Sequence, residues 1–281
     1  MTRPSPPDRG IKNTIPDNLS ADRTLLSTAV TEAGDIARRY FRSDAKQWRK
    51  GQGQIVTEAD IAIDRHLRDV LIGSRPADGW LSEEQEDDGS RFDAKRIWVV
   101  DPIDGTRSFA EGVDEFTISA ALLIDGEPAL ASVLNPIRSE HFEAMAGQGA
   151  WLNGQPLVPS RHMAIEDASL LGSWSEMKKR SWPEIFPEAT FTSIGSLAYK
   201  LALVAAGRYA GLVSLRSCHD WDIAAALLLL SEAGATIGDG GGSPISLNKA
   251  DPRHQGLVAA GEEALYSQLI SRLATIKSST K

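Results

Sequence analysis

Apolar residues recur at helical spacing in the first part of the chain, after a proline-rich start. The spacing predicts a first helix that Ser20 can cap. Its apolar face comprises Leu25, Leu26, Val30, Ala33, Ala37, Tyr40 and Phe41. A second helix is predicted from about residue 59 to about residue 72, with packing residues Ile61, Leu67, Val70 and Leu71. The segment KGQGQIVTEAD (50–60) between them is predicted to be a glycine-containing loop that leads into a short strand.

Aliphatic and β-branched runs replace the helical pattern from Arg96 onward. RIWVV (96–100) predicts a buried strand that ends at Asp101. The segment 116–136 predicts a hairpin around the turn signal DGEP, and the segment 140–157 predicts short strands with a second turn at NG (153–154). The first half is therefore predicted to be two helices followed by a largely antiparallel meander.

Strands and helices alternate in the second half. The predicted strands are ASLLGSW (168–174), YAGLVSL (209–215) and GLVAAG (256–261). The predicted helices are GSLAYKLALVAAG (195–207), DWDIAAALLLLSEAG (220–234) and EEALYSQLISRLATI (262–276). This alternation predicts a layered α/β arrangement. GDGGGS (238–243) lacks the context of a dinucleotide-binding fingerprint and is predicted to be a loop.

The length and the net charge of the chain limit the classes of protein to which it can belong. The chain has 281 residues, 42% of them hydrophobic, which suffices for a large core. We expect a disordered leader (1–18), an N-terminal half (19–160) and a C-terminal half (161–281). The formal charge of −8 argues against a nucleic-acid partner. The sequence contains no signal peptide and no apolar run long enough to span a membrane, so we expect a cytoplasmic protein.

The single cysteine, Cys218, excludes an intramolecular disulfide and favours a reducing compartment. His219 follows it directly, so a Cys–His nucleophilic pair is one interpretation. Because adjacent residues on a helix or strand rarely face each other, a small and partly buried residue is favoured instead.

Four segments place carboxylates at expected strand ends or helix starts. They are VTEAD (56–60), SEEQEDD (82–88), DPIDGT (101–106) and DWD (220–222). In layered α/β folds such junctions meet at one edge of the sheet, where ligand sites commonly lie. Converging carboxylate oxygens suit Mg²⁺, and bound cations would allow an acidic protein to bind a phosphate ester.

DPIDGT offers groups for both cations and phosphate. Pro102 is expected to turn the chain so that Asp104 returns beside Asp101, and the Ile103 carbonyl can face the same cavity. Gly105 permits close approach of a phosphate, and the N–H groups of Gly105 and Thr106 begin a helix. The alternative is a turn with solvated carboxylates.

The other acidic segments also have two interpretations. The run 82–88 is typical of a solvated face, although its position beside a predicted strand favours an inward Glu83 or Glu84. Asp222 starts an apolar helix and could serve only as its N-terminal cap, a role for which Asp220 is equally suitable.

Together, in this order, the segments resemble the lithium-sensitive, Mg²⁺-dependent phosphomonoesterases of the inositol monophosphatase superfamily. The resemblance lies in SEE (82–84), WVVDPIDGTRSF (98–109) and WDIAAALLLLSEAGA (221–235), with VTEAD and GSLAYKLALVAAG in support. It runs from about residue 20 to the C-terminus. The fold that it implies is an α/β (α+β) sandwich of alternating α-β-α-β-α layers, with mixed sheets and an antiparallel N-terminal half.

The resemblance also implies roles for individual residues. It implies metal ligands for two or three Mg²⁺ ions at Glu83, Asp101, the Ile103 carbonyl, Asp104 and Asp222. It implies catalytic groups at Glu83, Asp60 and Thr106, with water attacking in line and no phosphoenzyme. It implies substrate contacts at Gly105, Thr106, Gly195, Ser196, Arg216 and Asp222. Lys50 is similar to a family lysine near the metals, and homodimers are common among members.

The substrate depends on a position six residues before Trp221. Inositol monophosphatases usually carry a glutamate there, whereas this chain has Leu215 followed by Arg216. An arginine suits a second phosphate, and SPISLNKADPRHQGLVAAG (243–261) is similar to bacterial 3′(2′),5′-bisphosphate nucleotidases. We therefore expect 3′-phosphoadenosine 5′-phosphate as the substrate, with inositol monophosphate or a sugar phosphate such as fructose 1,6-bisphosphate as the alternative.

Two other functional classes also match parts of the sequence. Haloacid-dehalogenase-type phosphatases use DxDxT, one residue shorter than the DxxDGT spacing here, and form a phosphoaspartate. A binding or regulatory protein on the same scaffold is the other class, and it is disfavoured because every expected carboxylate is present.

Overall fold

Two large sheets and several helices make up the fold of residues 19–50, 54–179 and 182–279, which this computed structural model describes. The helices are α1 Leu19–Tyr40, α2 Glu58–Ser74, α3 Thr106–Ala110, α4 Trp174–Lys179, α5 Trp182–Ile185, α6 Leu197–Ala205, α7 Asp220–Ala233 and α8 Glu263–Ser279. The strands of the N-terminal half are β1 Gln47–Lys50, β2 Gln54–Thr57, β3 Gly79–Ser82, β4 Arg96–Asp104, β5 Thr117–Ile124, β6 Glu127–Asn135, β7 Glu140–Met145, β8 Gly149–Leu152 and β9 Gln155–Pro156. Those of the C-terminal half are β10 Ser169–Gly172, β11 Thr190–Ser193, β12 Gly211–His219, β13 Thr236–Asp239 and β14 Arg253–Ala260.

The first large sheet has seven strands in sequence order, from β3 to β9. Only the β3–β4 pair is parallel among its described strands, so the predicted antiparallel meander is confirmed. The second sheet has the order β11-β10-β12-β14-β13 and mixes parallel with antiparallel pairs. β1 and β2 form a separate antiparallel hairpin.

Three apolar clusters show how the layers stack. α1 and α2 pack on one face of the seven-stranded sheet. α6 and α7 lie between the two large sheets, and α8 covers the outer face of the second sheet. Both faces of β4 are therefore buried: Trp98 points toward α1 and α2, and Val99 points toward α6 and α7. This explains the uninterrupted apolar run of that strand and confirms the expected α-β-α-β-α layering.

Several local predictions need correction. β4 does not end at Asp101; it continues to Asp104, with its register against β5 interrupted between these two residues. Ser20 lies inside α1, which extends back to Leu19 in the described part of the chain. The segment 238–243 is not wholly a loop, because its first two residues belong to β13. The leader (1–18) lies outside the described residues.

A fully buried arginine links the two halves of the chain. The guanidinium of Arg91 donates to Asp87 Oδ2 at 2.9 Å, to Asn248 Oδ1 and to the Lys249 carbonyl at 2.8 Å. We call this group of four residues the Arg91 clasp. The Asn248 N–H in turn donates to Asp220 Oδ2 at 2.7 Å, in the first turn of α7. The clasp therefore connects the segment after β3 with the start of α7.

None of the helices in the described ranges is both long and apolar enough to cross a membrane.

Candidate active site

The interruption in β4 brings two carboxylates together at the end of a buried strand. Asp101 is 1% exposed, and its buried Oδ1 has no hydrogen-bond partner among the residues that the structure describes. Asp104 Oδ2 accepts hydrogen bonds from the Ser196 hydroxyl at 2.5 Å and from the Ala198 N–H at 2.6 Å. The start of α6 thus fixes one oxygen of Asp104 and leaves the other for a ligand.

Asp222 joins this pair from the third residue of α7. Ligand oxygens of Asp101, Asp104 and Asp222 all lie within 4.8 Å of one another. Asp222 Oδ2 also accepts the His219 N–H at 2.6 Å, so the same carboxylate caps the helix and faces the cluster. Asp220 does neither: its oxygens bind the Asn248 N–H and, at 2.6 Å, His254 Nε2.

Lys50 pairs with both glutamates of the acidic run, more closely with Glu84 than with Glu83. Lys50 Nζ donates to Glu84 Oε1 at 2.6 Å and to the Glu83 carbonyl at 3.1 Å, while Glu83 Oε1 lies 3.8 Å away. Asp64 of α2 accepts hydrogen bonds from Ser82 and Gln85, on either side of the glutamate pair. Glu84 is the more buried of the two glutamates, with 4% of its side chain exposed against 18% for Glu83, and Glu83 is the one that lies within electrostatic reach of Asp222 and Asp104.

The pKa values of these carboxyl groups are raised. Burial, followed by the nearby charge of Asp222, raises the pKa of Glu83 to about 8 and that of Asp104 to about 7. Burial and the charges of Glu83 and Asp104 raise the pKa of Asp101 well above its usual range. Each group disfavours the ionisation of its neighbours. The site is therefore electrostatically unfavourable unless protons or cations neutralise it.

Thr106 and Asp60 occupy the side of the cluster near α2. Asp60 Oδ2 accepts the N–H of Thr57 at 2.7 Å and its hydroxyl at 2.6 Å. The Thr106 hydroxyl lies 3.3 Å from Asp60 Oδ1 and 3.0 Å from the Ile103 carbonyl oxygen. Burial raises the pKa of Asp60 to about 6, against the opposing hydrogen bonds from Thr57. With a pKa of about 6, Asp60 is mainly ionised at neutral pH and can accept a hydrogen bond from the Thr106 hydroxyl.

Gly105 lies where the chain passes closest to α6. Its φ of +96° falls in the left-handed region, and a Cβ there would come within 2.9 Å of the Glu115 carbonyl oxygen and 3.1 Å of the Ser196 nitrogen. The Gly195 N–H donates to Glu115 Oε2 at 2.9 Å. Only glycine suits this position, which leads into α3 at Thr106.

Arg216 and Leu215 lie on β12, away from this tight junction. Arg216 is exposed, and the Leu215 N–H donates to Glu176 Oε1 at 2.8 Å. Cys218 is buried, and burial raises the pKa of its thiol far above the usual range. The structure therefore supports the interpretation of Cys218 as a small buried residue and not as a nucleophile, because a buried thiol with a raised pKa is not ionised.

Two charged residues near the site were not recognised from the sequence. Lys200 of α6 is only 8% exposed, within electrostatic reach of Asp104, Glu176, Glu115 and Arg216. Among the described residues its Nζ has no hydrogen-bond or ion-pair partner. The sequence signal that could have identified Lys200 is its position inside the apolar run GSLAYKLALVAAG. Glu176 gave no such signal, because α4 itself was not predicted.

We expect the metal-free protein to lose thermal stability as pH rises from about 5 to about 8. The pKa values of Asp104 and Glu83 are raised in the folded state, so the unfolded chain releases these protons first. The stability contributed by these two protonated carboxyl groups is fully present below the ordinary carboxyl pKa. It is lost as the pH rises through about 7 for Asp104 and about 8 for Glu83. Calorimetry in EDTA and in MgCl₂ would measure this; a melting temperature that rises with pH in EDTA would contradict it.

The sequence of this chain is similar to those of known proteins. The sequence model of the inositol monophosphatase family matches residues 18–278. An inositol-1-monophosphatase of Rhizobium meliloti strain 1021 is 33% identical over 265 residues, 90% of this chain and 99% of that protein. The Nus factor SuhB of Escherichia coli strain K12 is 35% identical over 223 residues, 75% of this chain and 82% of that protein.

A solved structure shows the same similarity in three dimensions. The extragenic suppressor protein suhB from Bartonella henselae superposes with a TM-score of 0.80 at 27% identity. The match covers 90% of this chain and 98% of that one.

Proposed function

Because this chain belongs to the inositol monophosphatase family, and is therefore a phosphoric monoester hydrolase, we propose that it is Mg²⁺-dependent and that its substrate is a bisphosphate nucleotide. The observation that carries the site assignment is the convergence of Asp101, Asp104 and Asp222 within 4.8 Å. Family members are metal-dependent, and these residues fit a divalent cation. Among the described residues Asp101 Oδ1 is buried without a hydrogen-bond partner, and burial, followed by the charges of neighbouring carboxylates, raises the pKa of Asp101.

The residues around the cluster complete the proposed ligand set. Glu83, Asp101, the Ile103 carbonyl, Asp104 and Asp222 would hold two or three Mg²⁺ ions. All of these are the hard oxygen donors that Mg²⁺ prefers. The bound ions would supply Lewis-acid stabilisation of the phosphate charge and would acidify the attacking water.

The chain's own groups would position the reactants. The N–H groups of Gly105 and Thr106 would bind the phosphate oxygens. The Thr106 hydroxyl, held between Asp60 Oδ1 and the Ile103 carbonyl, would orient the water and relay its proton toward Asp60. Glu83 would act with Thr106 on the attacking water, and Asp222 would hold the cation on the leaving-group side.

The substrate proposal rests on two basic residues, Lys200 and Arg216. Leu215 stands where family members acting on inositol carry a glutamate, while Arg216 is exposed and Lys200 is buried within electrostatic reach of Asp104 and Arg216. Two basic residues suit a second phosphate. Inositol monophosphate is the second candidate, because the Rhizobium meliloti relative is named an inositol-1-monophosphatase; the relatives compared above are not bisphosphate nucleotidases.

Phosphate release tests this proposal. With Mg²⁺, we expect kcat/KM for 3′-phosphoadenosine 5′-phosphate to exceed that for inositol 1-phosphate and for fructose 1,6-bisphosphate by about tenfold or more. One additional charged contact with the substrate accounts for a factor of about this size. Millimolar lithium should inhibit turnover, and no phosphoaspartate should be trapped. A preference for inositol 1-phosphate would replace the substrate proposal. Mg²⁺ binding without phosphate release from any of these esters would favour a binding protein instead.

A further inference from the structure

The short helix α4 begins beside the segment that leads into α6. The Trp174 N–H donates to Ser193 Oγ at 3.0 Å, at the end of β11 and two residues before Gly195. β10 and β11 are parallel, so the segments that follow them leave the sheet at the same edge. The first residue of α4 is therefore tied to the segment that leads into the Asp104-binding Ser196.

Glu176 ties the same helix to β12. Its Oε1 accepts the Leu215 N–H at 2.8 Å, and its Oε2 accepts the Ser214 hydroxyl at 2.9 Å. Lys200 lies within electrostatic reach of Glu176, Asp104 and Arg216. α4 is thus anchored to β12 one residue before Arg216.

Trp174 is a large aromatic side chain exposed on this anchored helix. It is 59% exposed, while Lys178 Nζ lies 4.9 Å from the centre of its ring. An indole fixed at its backbone loses little freedom when a flat molecule packs against it. Aromatic rings of this kind stack on nucleobases with useful affinity.

We propose that Trp174 is the stacking surface for the base of the nucleotide substrate. Lys178 covers one face of the indole, and the base packs on the other. The second phosphate is then directed toward Lys200 and Arg216. This inference rests on the proposed nucleotide specificity and names the residue that would discriminate a nucleotide from an inositol phosphate.

Steady-state kinetics of Trp174→Ala and Trp174→Phe test the inference. With 3′-phosphoadenosine 5′-phosphate we expect Trp174→Ala to raise KM about tenfold, with kcat little changed, because stacking binds the substrate and does not act on the phosphate. Trp174→Phe retains a ring and should recover most of the affinity. Inositol 1-phosphate has no base, so its kcat and KM should be unchanged in both variants.

Met163→Ala is the matched control, since Met163 is 60% exposed, nearly the same as Trp174. It should leave both substrates unaffected. Equal losses for the nucleotide and for inositol 1-phosphate in Trp174→Ala would overturn the stacking role, as would no change for either. If the unmodified protein hydrolyses inositol 1-phosphate but not the nucleotide, the substrate proposal and the stacking role both fail, while the phosphatase assignment stands.

Discussion

Asp104→Asn is expected to lower kcat by at least about a thousandfold while the protein remains folded. The amide can still accept the Ser196 hydroxyl and the Ala198 N–H, so the start of α6 keeps its anchor. The negative charge that would bind a cation is lost. Phosphate release and circular dichroism on the same preparation measure the two effects.

Asp35→Asn is the control for this substitution. Asp35 lies on α1 with a largely exposed carboxylate and pairs with Arg38, so its neutralisation should leave turnover unchanged. Removing one of several repelling carboxylates should also make metal-free Asp104→Asn at least as stable as the metal-free parent. Retained turnover in Asp104→Asn would show that Asp104 is not a metal ligand.

Arg91→Met is expected to destabilise the protein by about 3 kcal/mol or more, because its removal leaves buried polar partners unpaired. Asn248 Oδ1 and the Lys249 carbonyl would lose their donor, and Asp87 would lose its counter-ion. For a chain of this length the melting temperature should fall by roughly 6–12 °C. Thermal unfolding followed by circular dichroism would measure the change.

Arg253→Met is the matched control for the clasp. Arg253 also pairs with an aspartate, Asp251, but both side chains are largely exposed. Surface ion pairs contribute little, so its melting temperature should not change. If the two variants unfold at the same temperature, the Arg91 clasp does not hold the halves together.

The larger elements could be predicted from the sequence because their patterns are long. The hairpin around DGEP appears as β5 and β6, and IAAALLLL (223–230) lies in α7 between the sheets. The strand predicted over 168–174 ends at Gly172, and Trp174 begins α4 instead. No element was predicted for 175–193, because the elements there are short and the segment contains prolines. Periodicity needs several turns to be recognisable, and α4, α5 and β11 have only four to six residues each.

Part of the candidate site could also be predicted, because several of its residues lie next to one another in the sequence. DPIDGT and DWD carry their chemistry in adjacent residues, and the structure places Asp101, Asp104 and Asp222 together. Pro102 suggested that the strand ended, although β4 continues after an interruption of its register. Lys200 and Glu176 acquire their positions only through contacts between α4, α6 and β12. Spacing along the chain does not encode such contacts.

The position of α7 has a consequence for protein engineering. This helix is packed between both large sheets, and its first turn carries Asp222. Its buried alanines and leucines pack between the sheets, so a change in their volume shifts the helix that presents a candidate ligand. A mutant library intended to alter catalysis should therefore treat the interior of α7 as part of the active site. A library intended to improve stability should leave it alone.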